Sequence, residues 1–288
     1  MTEFEELSVI LEQSGLSGWK EYLLQLAKPS IRIGSRVVEE HTLPVGVSKF
    51  GGSMDLPPDV EWPTYKGRPL WPMAQLWMPD IAPYDVEDAL PHSGMLYFFY
   101  DMVEQPWGYA PSHRDAWKVI YRDVDQTRLI RVLPEIPMPK GYDIYDLPVC
   151  ALDFTTELTI PSLRADEISD VLGEEDMDLY WDLLETLGDT SSVHRIFGYP
   201  NQIQGDMDIE AQLVSNAIYI GGLTDYDDPA VKRLLEGVKD WRLLLQIDDE
   251  SDNVQRFGGD GARIYYWIRK EDLSSRNFDN VWLAYQCT

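Results

Sequence analysis

Cysteine and histidine are scarce in this chain. Two cysteines, Cys150 and Cys287, and four histidines, His41, His92, His113 and His194, are spread over 288 residues. No CxxC spacing occurs, which excludes a disulfide framework and any standard zinc knuckle. Basic residues are the second shortage: 24 Lys and Arg stand against 50 Asp and Glu, giving a formal charge of −26. A field of that sign repels phosphate backbones and anionic headgroups, so neither a nucleic-acid nor a membrane-surface partner is expected. A basic protein or a cation suits it better, and acidity also serves solubility alone. Apolar runs are short, well below the ~20 residues of a membrane helix. The stretch Met1-Thr2-Glu3-Phe4-Glu5-Glu6 has no basic region followed by an apolar run. The expectation is therefore a cytoplasmic chain without a signal peptide.

Catalytic signatures are missing too. Gly258-Gly259-Asp260-Gly261 lacks the Lys-Ser/Thr partner of a phosphate loop and reads as a turn before an apolar strand. There is no Gly-x-Ser-x-Gly elbow, His-Glu-x-x-His helix or dinucleotide fingerprint. The run Asp248-Asp249-Glu250-Ser251-Asp252-Asn253 starts like a calcium loop. Asn253 stands where that loop needs Gly and Gly259 where it needs Glu, so the EF-hand reading fails. A looser cation site and a plain acidic hairpin loop remain as readings. No catalytic residue, cofactor or defined metal site is expected.

What the chain does have is core material: 44% hydrophobic residues, with 10 Trp, 16 Tyr and 8 Phe. Thr2 with Glu5 makes a capping box for a first helix, and a second carries Trp19, Tyr22, Leu23 and Leu26. Residues 31–38 alternate as a strand. Between Ser48 and Pro72, Gly51-Gly52, Pro57-Pro58, Trp62-Pro63 and Gly67 predict an ordered loop. Strands follow at 70–78, 95–100, 117–121 and 150–160, then helices through 162–187 broken at Gly173.

From His194 the pattern returns. Gly198-Tyr199-Pro200-Asn201 mirrors the first glycine loop, and Gln246 occupies in its strand the place of Gln75. Gly261 opens an aromatic strand as Gly94 does, and 281–286 closes the unit as 117–121 does. Helices at 207–215 and 229–238 form an insert. Four features in one order predict an internal duplication. The expected fold class is α+β, internally duplicated, with mainly antiparallel sheets, one per copy, packed together and helices on the periphery. The expected layout is a single domain: 1–47 N-terminal helices and strand, 48–160 first repeat, 161–193 connecting helices, 194–288 second repeat.

The set Lys49-Phe50-Gly51-Gly52, Trp62-Pro63, Ala74-Gln75, Gly94 to Phe99, His194-Arg195, Gly198 to Asn201, Leu244 to Asp248 and Gly258 to Tyr265 resembles the YwqG-like family. The match runs from about Lys49 to the C-terminus. The resemblance implies a mostly bacterial, cytoplasmic, α+β domain of unassigned function with no catalytic residues to carry over. It also implies a link to toxin systems, since some members lie beside polymorphic toxin genes as suspected immunity proteins.

Two functional expectations follow. The first is a non-enzymatic immunity protein that binds a basic toxin, a nuclease for example. Its candidate contacts are Asp225, Asp227, Asp228, Asp248, Asp249, Glu250 and Asp252, with a further acidic run at Glu174, Glu175, Asp176 and Asp178. Each cluster alone is also the ordinary solvated face of a soluble protein. The second is a small-molecule or divalent-cation binding protein, or an enzyme, using a cleft between the repeats. There Gln75, Gln246, His194, Arg195 and Asn201 are the candidates, although a buried glutamine is first expected to hold its own loop. A housekeeping scaffold is the third reading.

Overall fold

The computed structural model describes residues 2–135, 148–163, 165–190, 193–222, 224–249 and 261–287. Ten strands form one continuous antiparallel sheet. They are β1 (Lys28–Val37), β2 (Lys49–Phe50), β3 (Trp71–Trp77), β4 (Met95–Tyr100), β5 (Trp117–Arg122), β6 (Cys150–Thr159), β7 (His194–Phe197), β8 (Trp241–Asp248), β9 (Arg263–Arg269) and β10 (Trp282–Gln286). Their spatial order is β10-β9-β8-β7-β1-β6-β2-β3-β4-β5. Read outward from the central β1–β6 pair, the two sides have the same plan: a short strand, then a three-strand meander.

This corrects the expectation of one sheet per copy. The ten-residue register of β1 on β6, from Lys28↔Thr159 to Val37↔Cys150, fuses the two sides. The punctuated loop is also partly ordered into strands, since Met54–Leu56 pairs with Ile130–Val132 and Thr64–Tyr65 with Arg68–Pro69.

The sheet curls nearly into a barrel, as twisted sheets of this width do. Its two outer strands come together through side chains. Trp117 donates its indole N–H to the Val281 carbonyl at 2.9 Å, and its ring meets that of Trp282 edge-on at 5.0 Å. Inside, all six residues of β4 are buried. Phe98 packs on Tyr266 at 4.9 Å, while the Tyr266 hydroxyl donates to the Phe99 carbonyl. The space between the two sides is therefore filled with aromatic rings.

Helices α1 (Glu3–Gln13), α2 (Lys20–Leu26), α3 (Asp166–Ser169) and α4 (Glu174–Thr186) build a separate apolar cluster around Leu7, Leu11, Leu23, Ile168, Tyr180 and Leu183. The capping box forms, with the Glu5 N–H donating to Thr2 Oγ1 at 3.2 Å and the Thr2 N–H to Glu5 Oε2 at 2.9 Å. Helix α5 (Met207–Ser215) buries Met207, Ala211, Leu213 and Val214 beside β8 and β10. Helix α6 (Pro229–Leu235) follows it, and Gln212 joins them to the sheet by donating to the Leu234 carbonyl and accepting from the Trp241 indole. Among the described residues no helix is long and apolar enough to cross a membrane.

Candidate functional site

The residues that recur in the sequence form two matching buried networks. Gln75 is fully buried on β3, paired across to Lys49 and Tyr97. Its carbonyl oxygen accepts from the Asp55 N–H at 2.8 Å, and its amide donates to the Val47 carbonyl and to the Asp55 carboxylate. Gln246 on β8 is paired across to Arg195 and Tyr265. Its oxygen accepts from the Asn201 N–H at 2.9 Å and its amide donates to the Val193 carbonyl at 2.7 Å. Tyr97 donates to the Asp55 carbonyl and Tyr265 to the Asn201 carbonyl, both at 2.7 Å. Each glutamine thus satisfies backbone groups of a glycine loop that no strand partner reaches.

The loops match as well. Gly51 and Gly52 lie at φ 62° and 67°, Phe197 and Gly198 at 63° and 68°. A Cβ on Gly52 would sit 2.5 Å from the Val149 side chain, and one on Gly198 2.5 Å from Thr159 Oγ1. Both positions leave room for hydrogen alone.

Of the charged groups beneath these loops, Lys49 and Arg195 stand out in the sequence, whereas their partners carry no spacing signal. Arg131 binds the buried Asp55 carboxylate at 2.8 Å. Burial opposes the Asp55 charge, but Arg131, the Gly46 N–H and Gln75 outweigh it and hold the pKa below the usual carboxylate value. Lys49 is buried against Glu40 at 2.6 Å, and burial lowers its pKa. On the other side Arg195, also fully buried, pairs with Asp189 and with Glu157 at 3.2 Å. Desolvation works against its charge, yet the two carboxylates prevail and raise its pKa. Arg32 joins the same pair, 2.6 Å from Glu157. Two cations and two carboxylates thus balance at the centre of the sheet, the condition for burying charge at all.

His194 and Asn201 belong to this framework. His194 Nδ1 accepts from the Asp248 N–H at 3.0 Å, and its ring lies edge-on to Phe50 at 4.9 Å. Asn201 receives Arg263 on its carbonyl and side-chain oxygens. Asp248 and Asp249 are buried, so they are not part of the acidic exterior. Asp248 pairs with Arg263 at 2.6 Å and accepts from the Val193 N–H; burial raises its pKa against that pairing. Glu250 and Asp252 lie outside the described residues.

A sizeable open cavity lies elsewhere. A cleft of about 760 Å³ opens on the β7–β8–β9 side, within the size range of ligand pockets. None of Gln75, Gln246, His194, Arg195 and Asn201 lines it. It is not between the two sides of the sheet, because aromatic packing fills that space. Its walls carry both signs of charge. Arg242 comes from the start of β8, Lys239 from the turn before it and Lys270 from the short helix that follows β9, while Asp166 and Glu167 come from α3 and Asp206 and Asp208 from the start of α5. Arg242 stacks over Phe197 at 3.6 Å and pairs with Glu87 at 2.5 Å. Lys28 lies 3.8 Å over the Tyr199 ring and is in no ion pair among the described residues; desolvation lowers its pKa. Trp267, only 5% exposed, lines the cleft, and its indole N–H has no acceptor among the described residues. Burial raises the pKa of Asp206 and Asp208, and that of neighbouring Glu210 to about 7.

Residues 48–287 match the model of a family described as a domain of unknown function (DUF1963). The chain belongs to this family. The DUF1963 span takes in most of both glutamine networks and most of the cleft; Lys28, Arg32, Glu40, Gly46 and Val47, which contribute to them, precede it. Comparison with curated proteins gives no match.

The acidic exterior lies on α4, where Glu174, Glu175 and Asp178 are exposed and Asp176 accepts from the Trp19 indole, and on the insert. Asp225, Asp227 and Asp228 are all exposed, and each makes a local bond: Asp225 accepts from the Asp227 N–H, Asp227 pairs with Lys232, and Asp228 caps α6 through the Ala230 N–H. Beside them in sequence stand Tyr219 and Tyr226, 54% and 52% exposed. Tyr219 meets Tyr109 at 6.0 Å, and Tyr109 meets Trp107, itself 40% exposed, at 6.3 Å. Sequence reading noticed the acids and missed these aromatics, whose exposure depends on the fold.

Proposed function

We propose that this DUF1963 chain is a non-enzymatic binding protein of the YwqG-like kind that neutralises a basic bacterial toxin by direct contact. The observation that carries the reading is the insert, where exposed Tyr226 stands between exposed Asp225 and Asp227, with exposed Tyr219 just before them in sequence, in a chain of charge −26. Exposed aromatics supply anchors that bury large area at small entropic cost, and the surrounding negative field speeds capture of a basic partner. A nuclease is a suitable target because its phosphate-gripping surface is basic. On this reading the two sides of the sheet descend from a duplicated unit, supported by their mirrored strand order and matching glutamine networks.

The test is capture from the host's lysate on the tagged full chain at about 50 mM and about 500 mM salt, a range over which exposed charges become screened. The expected result is a stoichiometric basic partner, identified by mass spectrometry, that is lost at high salt. Recovery of the chain alone, with the suspected toxin demonstrably expressed, would overturn the proposal.

A further inference from the structure

We propose that the cleft on the β7–β8–β9 side binds a short peptide carrying both a cationic and an anionic group, with an apolar side chain between them. This ligand is distinct from the basic protein proposed above. Three observations converge on it. Both signs of charge line it: Lys239, Arg242 and Lys270 stand near the strand ends with Glu236 and Glu87 among them, and Asp206 and Asp208 at the start of α5. Four basic residues meet six acidic ones in one recess, so cations and carboxylates are concentrated there together. The cleft also holds a cation that no carboxylate pairs: Lys28 has the Tyr199 ring beneath it and no ion-pair partner among the described residues.

The floor between the walls is apolar and aromatic, formed by Met207, Leu243 and Trp241. A simple dianion would meet the carboxylates of α3 and α5, and a simple cation would meet the lysines. A molecule with both charges avoids each repulsion. The size fits a few residues, since about 760 Å³ lies in the upper part of the usual ligand range.

The experiment is calorimetric titration of the full chain with the tripeptide Leu-Phe-Leu, its N-acetylated form and its C-terminal amide, up to about 5 mM, a limit that captures millimolar affinity. Leu-Phe-Leu is expected to bind saturably, and each blocked form to bind about tenfold more weakly. Asp208→Asn should erase the preference for the free amine. Lys28→Gln should erase the preference for the free carboxylate, with Lys270→Gln as a second variant should the first lose its native circular dichroism. Equal affinity of the three forms, no saturable heat from any of them, or preferences unchanged in the variants would each overturn the proposal. So would full displacement of the tripeptide by inorganic phosphate without any dependence on the free amine, which describes a plain anion site.

Discussion

The two sides of the sheet solve one backbone problem with different charges. On the β2–β3–β4 side, the glycine loop is held by Gln75 and by an ionised Asp55 against Arg131. On the β7–β8–β9 side, the neutral Asn201 takes the place of Asp55, and the carboxylate that meets an arginine is Asp248, on the neighbouring strand. Trp77 and Met95 stand where Asp248 and Arg263 do on the other side. Even the irregularities agree, since the pairing shifts register between Pro72 and Ala74 and between Leu243 and Leu245, just before each glutamine. The hydrogen bonds to the loop backbone are thus the shared requirement, while the placement of charge is free to vary. The cleft and the acidic–aromatic surface, by contrast, occur only where the helical insert follows the loop. Framework is common to both sides, and the insert adds the cleft of about 760 Å³ and the acidic surface to one of them.

Removing the glutamines attacks the shared part. Gln75→Leu and Gln246→Leu each strand a loop N–H and a carbonyl in the interior, at a cost of roughly 2–5 kcal/mol in urea unfolding. Gln75→Leu should be the worse, because Gln75 also donates to the Asp55 carboxylate. Equal and small losses would mean that water replaces both side chains.

Asp55→Asn tests the difference directly by giving the first side the residue of the second. With no counterpart of Asp248 there, Arg131 loses its partner, and the expected loss at neutral pH is about 1–3 kcal/mol. The folded pKa of Asp55 is lowered, so its stabilisation is complete above the ordinary carboxylate pKa and fades as pH falls through the folded value. Stability profiles of wild type and variant should therefore converge in acid.

Glu210 has the opposite sign. With a folded pKa of about 7 against 4.5 unfolded, the folded state holds an extra proton between these values, so stability falls as pH rises through that window. Glu210→Gln should flatten this limb and gain on the order of 1–2 kcal/mol at pH 8, after allowance for solvent screening of a partly exposed group. Thermal melts from pH 4 to pH 8 would show it; parallel curves would contradict it.

A further comparison concerns the matching left-handed residues. Gly51→Ala should cost about 1 kcal/mol by melting, since a Cβ at φ 62° is strained. Phe197 accepts the same conformation with its ring buried under Arg242. Phe197→Ala should therefore lose more than Gly51→Ala, as it keeps the strain and forfeits the ring.

Much of the framework was legible because local rules write it. Thr2 and Glu5 announce the first helix, the alternation of Leu152, Phe154 and Leu158 marks β6, and Gln75 and Gln246 recur with their glycine loops. The single sheet was not, since it depends on β1 meeting β6 from over a hundred residues away. Arg32, Glu157 and Asp189 carry no spacing signal, and the fold alone brings them together. Asp248 misled for a physical reason. A run of acids reads as exposed, but Arg263 across the β8–β9 pair lets the first of them be buried. The cleft draws on the start of β1, the loop at Glu87, the loop after β7, helices α3, α5 and α6 and two strand ends, so no window of sequence contains it.

The most direct test of the functional claim is a growth assay with the captured basic partner expressed in a sensitive host, with and without this chain. The account predicts that the partner alone arrests growth and that the full chain restores it. It also predicts that Asp225→Asn, Asp227→Asn and Asp228→Asn combined weaken the rescue while leaving the melting temperature unchanged. A partner harmless by itself, or arrest that the intact chain fails to relieve, would contradict the account.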